Sequence, residues 1–372
     1  MNIMKKLIQL LFLSLYCSQS LWANSLEEFS ENSKLLEVSI SPYGETMTLI
    51  SENKFGEEVL YLIDAEKFEE NKLTVINSFG APNLRQDGGY SITGSSICGV
   101  RWTGPKDFIF QICGKSTRNE GRVALGIWYK ASLDSKKPEK YIDGGFSREG
   151  GSLYDPLSLD PDYVLFQTGD YQKLNGLWDF KSAAVVKVKT NKRNASVQGS
   201  TLFRSNQYCS EKCQRTGIFV TADNDPENPL AIIGSSDYDE NSLYLYRKGG
   251  NSWEDKPSLI LPTSLKTPFV GDNDKVWYTG SLDGRSDTLL VSESLDMLPK
   301  PLDLGECKNI RQTYFHPDSL DPYAVLTDCG DSWEVIYLDE SNKGAKWHKS
   351  MAKQFPNSLI SFGWTEDGKK AF

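Results

Sequence analysis

Six cysteines and two histidines carry most of the chemistry open to this sequence. Cys98, Cys113, Cys209, Cys213, Cys307 and Cys329 lie in the body of the chain, and a seventh, Cys17, lies in an N-terminal apolar segment. That segment, residues 1–23, has lysines at 5 and 6, an apolar run over 7–15 and Leu-Trp-Ala at 21–23. This is the pattern of a cleavable secretory signal, with cleavage expected after Ala23. An even set of cysteines in an exported chain points to disulfides rather than metal ligands. The spacing leaves the pairing open. The local pairing, Cys98 with Cys113, Cys209 with Cys213 and Cys307 with Cys329, is the expectation. Cys98 and Cys113 flank two apolar stretches, 100–102 and 108–112, that an antiparallel hairpin would bring together. Closing a loop of that length is worth roughly 3 kcal/mol in the chain-entropy model. Zinc is the competing use of such thiols, but His316 and His348 do not fall at the spacing from the cysteines that zinc sites use. Both histidines read as solvated surface residues. No metal and no cofactor is expected.

The elements that would position these residues follow a repeated phrase. Near the start, 39–51 reads Ser-Ile-Ser-Pro-Tyr-Gly-Glu-Thr-Met-Thr-Leu-Ile-Ser, and at the end, 361–372 reads Ser-Phe-Gly-Trp-Thr-Glu-Asp-Gly-Lys-Lys-Ala-Phe. Each is an apolar strand, a tight turn and the start of a second apolar strand. Glycine supplies positive φ in such turns, and Pro or Asp presets the remainder. Related turns fall at 103–107, 159–162, 223–227, 271–275 and 316–322. Between turns lie short apolar strands in sets of about four, the pattern of propeller blades. Seven turns predict six complete blades and the opening of a seventh. The expected fold is therefore all-β, a β-propeller of four-stranded blades of the seven-bladed type with the seventh blade incomplete. It occupies 24–372 as one domain. The only helical candidate lies around 350–355, as one short helix or a loop.

Composition narrows the partners. The chain has 372 residues, is 39% hydrophobic and 24% charged, and carries a formal charge of −9. Loss of residues 1–23 removes two lysines and leaves −11. No Lys/Arg cluster is dense enough to track a run of phosphates, so no nucleic-acid partner is expected. No stretch after the signal is long and apolar enough to span a bilayer as a helix. The expected location is periplasmic or secreted, with no membrane association once the signal is removed.

The order of several stretches resembles the N-terminal propeller of the prolyl oligopeptidase family of serine peptidases, in its exported bacterial form. The likeness lies in 41–44 (Ser-Pro-Tyr-Gly), 100–102 (Val-Arg-Trp), 184–192 (Ala-Val-Val-Lys-Val-Lys-Thr-Asn-Lys) and 217–223 (Gly-Ile-Phe-Val-Thr-Ala-Asp). It continues in 243–253, 276–285 and 362–369. The resemblance implies an α/β-hydrolase partner domain that carries the catalytic Ser, Asp and His. Its nucleophile would sit on a sharp Gly-x-Ser-x-Gly turn. Residues 145–150 (Gly-Phe-Ser-Arg-Glu-Gly) miss that spacing by one, and 94–99 (Gly-Ser-Ser-Ile-Cys-Gly) also fail it. No catalytic residue is therefore assigned in this chain, and the resemblance is expected to end before the hydrolase domain.

The expected function is the substrate-gating propeller portion of such a peptidase, not competent for hydrolysis by itself, with peptides reaching the hydrolase domain as substrates. Some family members hold a substrate amine with paired glutamates. Glu57-Glu58 and Glu69-Glu70 are such pairs here, and both read as solvated turns. The alternative is a stand-alone binding propeller. Residues 328–333 (Asp-Cys-Gly-Asp-Ser-Trp) resemble the Asp-box turn of sialidase-like propellers, with a degraded echo at 250–253. Arg101, Arg118, Arg122 and Arg148 could serve a sugar carboxylate, but no spacing groups them. An incomplete last blade would leave strand edges unpaired, so the isolated mature chain is expected to be poorly soluble or a homodimer.

Overall fold

The computed structural model describes residues 33–371, apart from 54–55, 70–71, 83–91, 117–121, 144–151, 159, 175–176, 192–199, 205–217, 223–224, 236–242, 250–251, 262–268, 281–286, 295–296, 306–307, 331 and 357. Its strands run in antiparallel sets. The first is β1 (Ser33–Ile40), β2 (Thr46–Asn53), β3 (Glu58–Asp64) and β4 (Val75–Gly80), with a short helix α1 (Ala65–Glu69) before β4. The second is β5 (Ile92–Trp102), β6 (Asp107–Ser116), β7 (Arg122–Ser132) and β8 (Glu139–Asp143). The third is β9 (Ser152–Asp155), β10 (Tyr163–Leu174), β11 (Leu177–Lys189) and β12 (Ser200–Arg204). The fourth is β13 (Ile218–Ala222), β14 (Asp225–Ser235), β15 (Leu243–Gly249) and β16 (Ser252–Leu261). The fifth is β17 (Phe269–Val270), β18 (Val276–Gly280), β19 (Thr288–Ser292) and β20 (Lys300–Pro301). The fourth and fifth sets are fused, because β13 and β17 pair in parallel at Ala222 and Val270. A last sheet holds β21 (Lys308–His316), β22 (Ser319–Asp328) and β23 (Trp333–Tyr337), followed by helix α2 (Lys343–Gln354).

This is an all-β propeller, but the seven-bladed expectation is corrected. Among the described residues there are five four-stranded blades rather than seven. After them come a three-stranded sheet and, in place of an opening seventh blade, a single bridge between Trp364 and Ala371. The reason is legible in 343–354, Lys-Gly-Ala-Lys-Trp-His-Lys-Ser-Met-Ala-Lys-Gln. It contains no β-branched residue and is rich in Ala, Lys, Met and Gln, which favour helix. Asn342 caps it, its side-chain oxygen accepting from the Gly344 N–H at 2.8 Å. The chain therefore turns into α2 where a fourth strand would have formed.

Successive side chains of a strand point to opposite faces, and a blade in the ring packs on both. The run Met47–Thr48–Leu49–Ile50 is accordingly buried without a break. Ile50, Leu60, Leu62 and Phe79 of the first blade meet Ile97, Val100, Trp102 and Phe108 of the second. Ile109, Trp128 and Tyr141 of the second meet Val164, Phe166 and Val186 of the third. Trp277 and Leu289 of the fifth meet Ile310 and Val325 of the last sheet. Each such buried side chain contributes about 1.5–3 kcal/mol. The opposite face of the first blade, Met47, Leu49 and Ile63, is covered by Ala65 and Leu73 and by Phe68 of α1. Among the described residues no apolar cluster joins the last sheet to the first blade. No helix there is long and apolar enough to cross a membrane.

Candidate functional site: the ring of turns and its closing strap

Among the described residues, several first-to-second-strand turns touch one another or the turn at 365–370. The two copies of the repeated phrase adopt the same geometry. In the first, the Ser41 N–H donates to the Thr46 carbonyl at 2.8 Å, and the Gly44 N–H to the Ser41 carbonyl at 2.9 Å. In the last, the Thr365 N–H donates to the Lys370 carbonyl at 3.1 Å, and the Gly368 N–H to the Thr365 carbonyl at 2.9 Å. A hydroxyl braces each turn: Ser41 Oγ accepts from the Thr46 N–H, and Thr365 Oγ1 accepts from the Lys370 N–H, both at 3.1 Å. Gly44 and Gly368 have φ of 74° and 61°, which explains glycine at both positions.

The two like turns pack together and close the ring. The Glu366 N–H donates to the Pro42 carbonyl at 2.9 Å, and Lys370 Nζ to the Gly44 carbonyl at 3.4 Å. The same turn reaches the third blade, where Ser158 Oγ donates to Glu366 Oε1 at 2.6 Å. It also reaches the last sheet, since His316 and Lys343 both bond the Gly368 carbonyl, at 3.2 and 2.7 Å. Further round, Ser319 Oγ donates to Asp272 Oδ2 at 2.9 Å, and the Trp277 indole to Asp321 Oδ1 at 2.8 Å. Between the third and fourth blades Lys187 pairs with Asp160, at 3.4 Å, and with Glu227. Burial works against its charge, but these two carboxylates outweigh it and raise its pKa.

The histidines are a correction. Neither is a solvated surface residue: each is 1% exposed. The Asp318 N–H donates to His316 Nδ1 at 3.1 Å, so the proton sits on Nε2 and points at the Gly368 carbonyl. His348 has the same tautomer, since Nε2 faces the Ile360 carbonyl at 3.1 Å and Nδ1 accepts from the Tyr337 hydroxyl at 2.7 Å. Burial lowers the pKa of both, against the Asp318 charge and the Gly368 bond at His316 and against the Ile360 bond at His348. Their polar neighbours in sequence hid this role.

Other sequence-singled residues divide. Cys98 and Cys113 are bonded, with Cα atoms 5.8 Å apart. Cys329 is disulfide-bonded, while its expected partner Cys307, with Cys209 and Cys213, lies outside the described residues. Glu57 is exposed, but Glu58 is buried, and Glu58 Oε2 accepts from the Ile97 N–H at 2.9 Å. The solvated-turn reading of Glu58 is thus wrong. The register of β5, an edge strand of its sheet, slips between Ile97 and Val100, and blade-one carboxylates accept from the backbone N–H groups at both positions: Glu58 at Ile97 and Glu37 at Val100, 3.2 Å. Glu69 lies in α1, and Glu70 lies outside the described residues. Arg101 bonds its neighbour's carbonyl and lies 3.5 Å from Glu37. Arg122 starts β7, while Arg118, Arg148 and the 145–150 segment lie outside the described residues. In the Asp-box-like turn, Asp328 accepts from the Gly330 N–H at 3.2 Å, and Arg311 lies 4.9 Å from the exposed Trp333 ring. Asp331 is outside the described residues. No group of metal-ligating side chains occurs among the described residues.

No family model matches the chain, and no curated protein matches it. Among solved structures it is similar to a prolyl endopeptidase studied for inter-domain dynamics in catalysis and specificity, at 10% identity and a TM-score of 0.49. That likeness covers 82% of this chain and 41% of the other. It is similar to the β-propeller domain of the trilobed protease from Pyrococcus furiosus at 12% identity and a TM-score of 0.43, covering 82% and 85%. It is also similar to TolB from Acinetobacter baumannii at 13% identity and a TM-score of 0.32, covering 72% and 55%. The chain thus spans under half the length of the prolyl endopeptidase, and the likenesses concern the propeller fold.

Proposed function

We propose that the chain is the propeller portion of an exported serine peptidase of the prolyl oligopeptidase kind, restricting which peptides reach a hydrolase domain. The carrying observation is the use made of its only two histidines. Each ring nitrogen is committed to a backbone or tyrosine partner that holds the propeller together. A Ser-His-Asp relay needs an imidazole free to take the serine proton, so that imidazole must come from a hydrolase domain. The propeller's own contribution is non-covalent: a set of touching turns, fastened by hydrogen bonds that can part without breaking any blade. A second reading, a stand-alone binding propeller, draws on the exposed Trp333 beside Arg311, which offers a stacking surface.

The native protein from the source cells tests the two. A mass well above that of the 372-residue chain, with covalent labelling by a fluorophosphonate serine probe, is the expected result. A mass matching 24–372, with no label and no co-purifying hydrolase, would overturn the gating reading in favour of the binding one.

A further inference from the structure

We propose that residues 358–371 are an acid-released strap, held by the only two histidines of the chain, whose release opens the seam between the last sheet and the first blade. The placement of those histidines carries the proposal. His316 closes on the strap at the Gly368 carbonyl and His348 at the Ile360 carbonyl, and the strap in turn holds the first blade at Pro42 and Gly44. Further holds come from the Tyr314 hydroxyl, donating to the Ile360 carbonyl at 3.0 Å, from Gln312, donating to Ser361 Oγ at 2.8 Å, and from Lys343 at the Gly368 carbonyl. Among the described residues no buried apolar cluster spans the seam, and these polar bonds bear its closure there.

Both imidazoles are bonded as neutral rings. At His316 the Asp318 N–H points at Nδ1, so a proton there sets one N–H against another. At His348 a proton on Nδ1 requires the Tyr337 hydroxyl to turn and accept. The charged groups facing His316 are Asp318 from its own turn, with Oδ2 at 3.5 Å, and Lys343 from α2. Asp318 favours the imidazolium, but its side chain is 61% exposed, while Lys343 opposes it. The strap offers His316 the Gly368 carbonyl and the Trp364 ring, at 4.4 Å between centroids. His348 faces Tyr337 of β23, Tyr314 of β21 and Phe362 of the strap. Burial dominates at both sites and lowers both pKa values below the ordinary 6.5. A depressed histidine stabilises the closed form fully above the free value, and that stability is lost as pH falls from about 6.5 through the folded value. The strap is therefore closed at neutral pH and released on acidification.

Hydrogen exchange on the full chain reads this directly, as protection factors corrected for the intrinsic effect of pH. Between about pH 7.5 and about pH 5, protection of the Glu366 and Gly368 amides should fall tenfold or more, while Leu60 and Val185 in the blades hold theirs. In His316→Gln/His348→Gln the fall should vanish. Strap protection that does not change, or that falls in step with the blades, overturns the proposal. If the double variant does not fold, the two imidazole resonances of the unaltered chain decide. Midpoints below 6.5 that coincide with strap release support the proposal; midpoints at or above 6.5 overturn it.

Discussion

At the scale of single residues, the buried polar groups set the terms. Glu58 is the sharpest case. Its carboxylate accepts from the buried Ile97 N–H of β5, the edge strand of its sheet. Glu58→Ala strands that donor in a buried site and should cost about 1–3 kcal/mol. Glu57→Ala, at an exposed neighbour, should stay within about 0.5 kcal/mol. Urea unfolding of the two variants checks the contrast. Nothing in the sequence separates the two glutamates, because both follow Gly56 in a polar stretch and only the register of β3 sends one inward. The histidines were hidden in the same way, since partners 12 and 52 residues away define them. Gly44 and Gly368 were legible as turn glycines from the repeated phrase alone, and their positive φ bears that out.

At the scale of elements, the bulge in β5 explains the disulfide. Ile97 pairs with Ile112 and Val100 with Phe110, so Cys98 drops out of the ladder and reaches Cys113, which itself opposes Ser96. The pairing was legible because the two cysteines flank one hairpin; the bulge that delivers it was not. Replacing both by serine should lower stability by roughly 3 kcal/mol for a loop of 15 residues, read as a shift of the unfolding midpoint. Helix α2 tests another element. Asn342→Ala removes its cap and should cost about 1 kcal/mol, with loss of helical signal confined to that segment. The strand sets of the first three blades followed closely from their turns. The last set did not, because counting turns assumes that every turn opens four strands, whereas 343–354 has helical composition.

At the scale of the whole molecule, two edges matter. Strand β23 has no outer strand partner among the described residues, and an unpaired edge invites association. The chain lacking residues 1–23 is accordingly expected to form a homodimer or larger species by light scattering, and a monodisperse monomer would count against an open edge. The other edge is the seam, where the Lys370 side chain meets the Gly44 carbonyl across 326 positions of sequence. A chain is made from its N-terminus, so the first blade must wait for the turn that fastens it. At about 5–20 residues per second that wait is roughly 16–65 s. Each earlier blade can fold and dock as it emerges, yet the circle stays open until the turn at 365–370 has been made. Closure is thus the last step in the assembly of the propeller. Until then the propeller is an arc rather than a wheel, with the unfastened flank of its first blade exposed to whatever handles new chains.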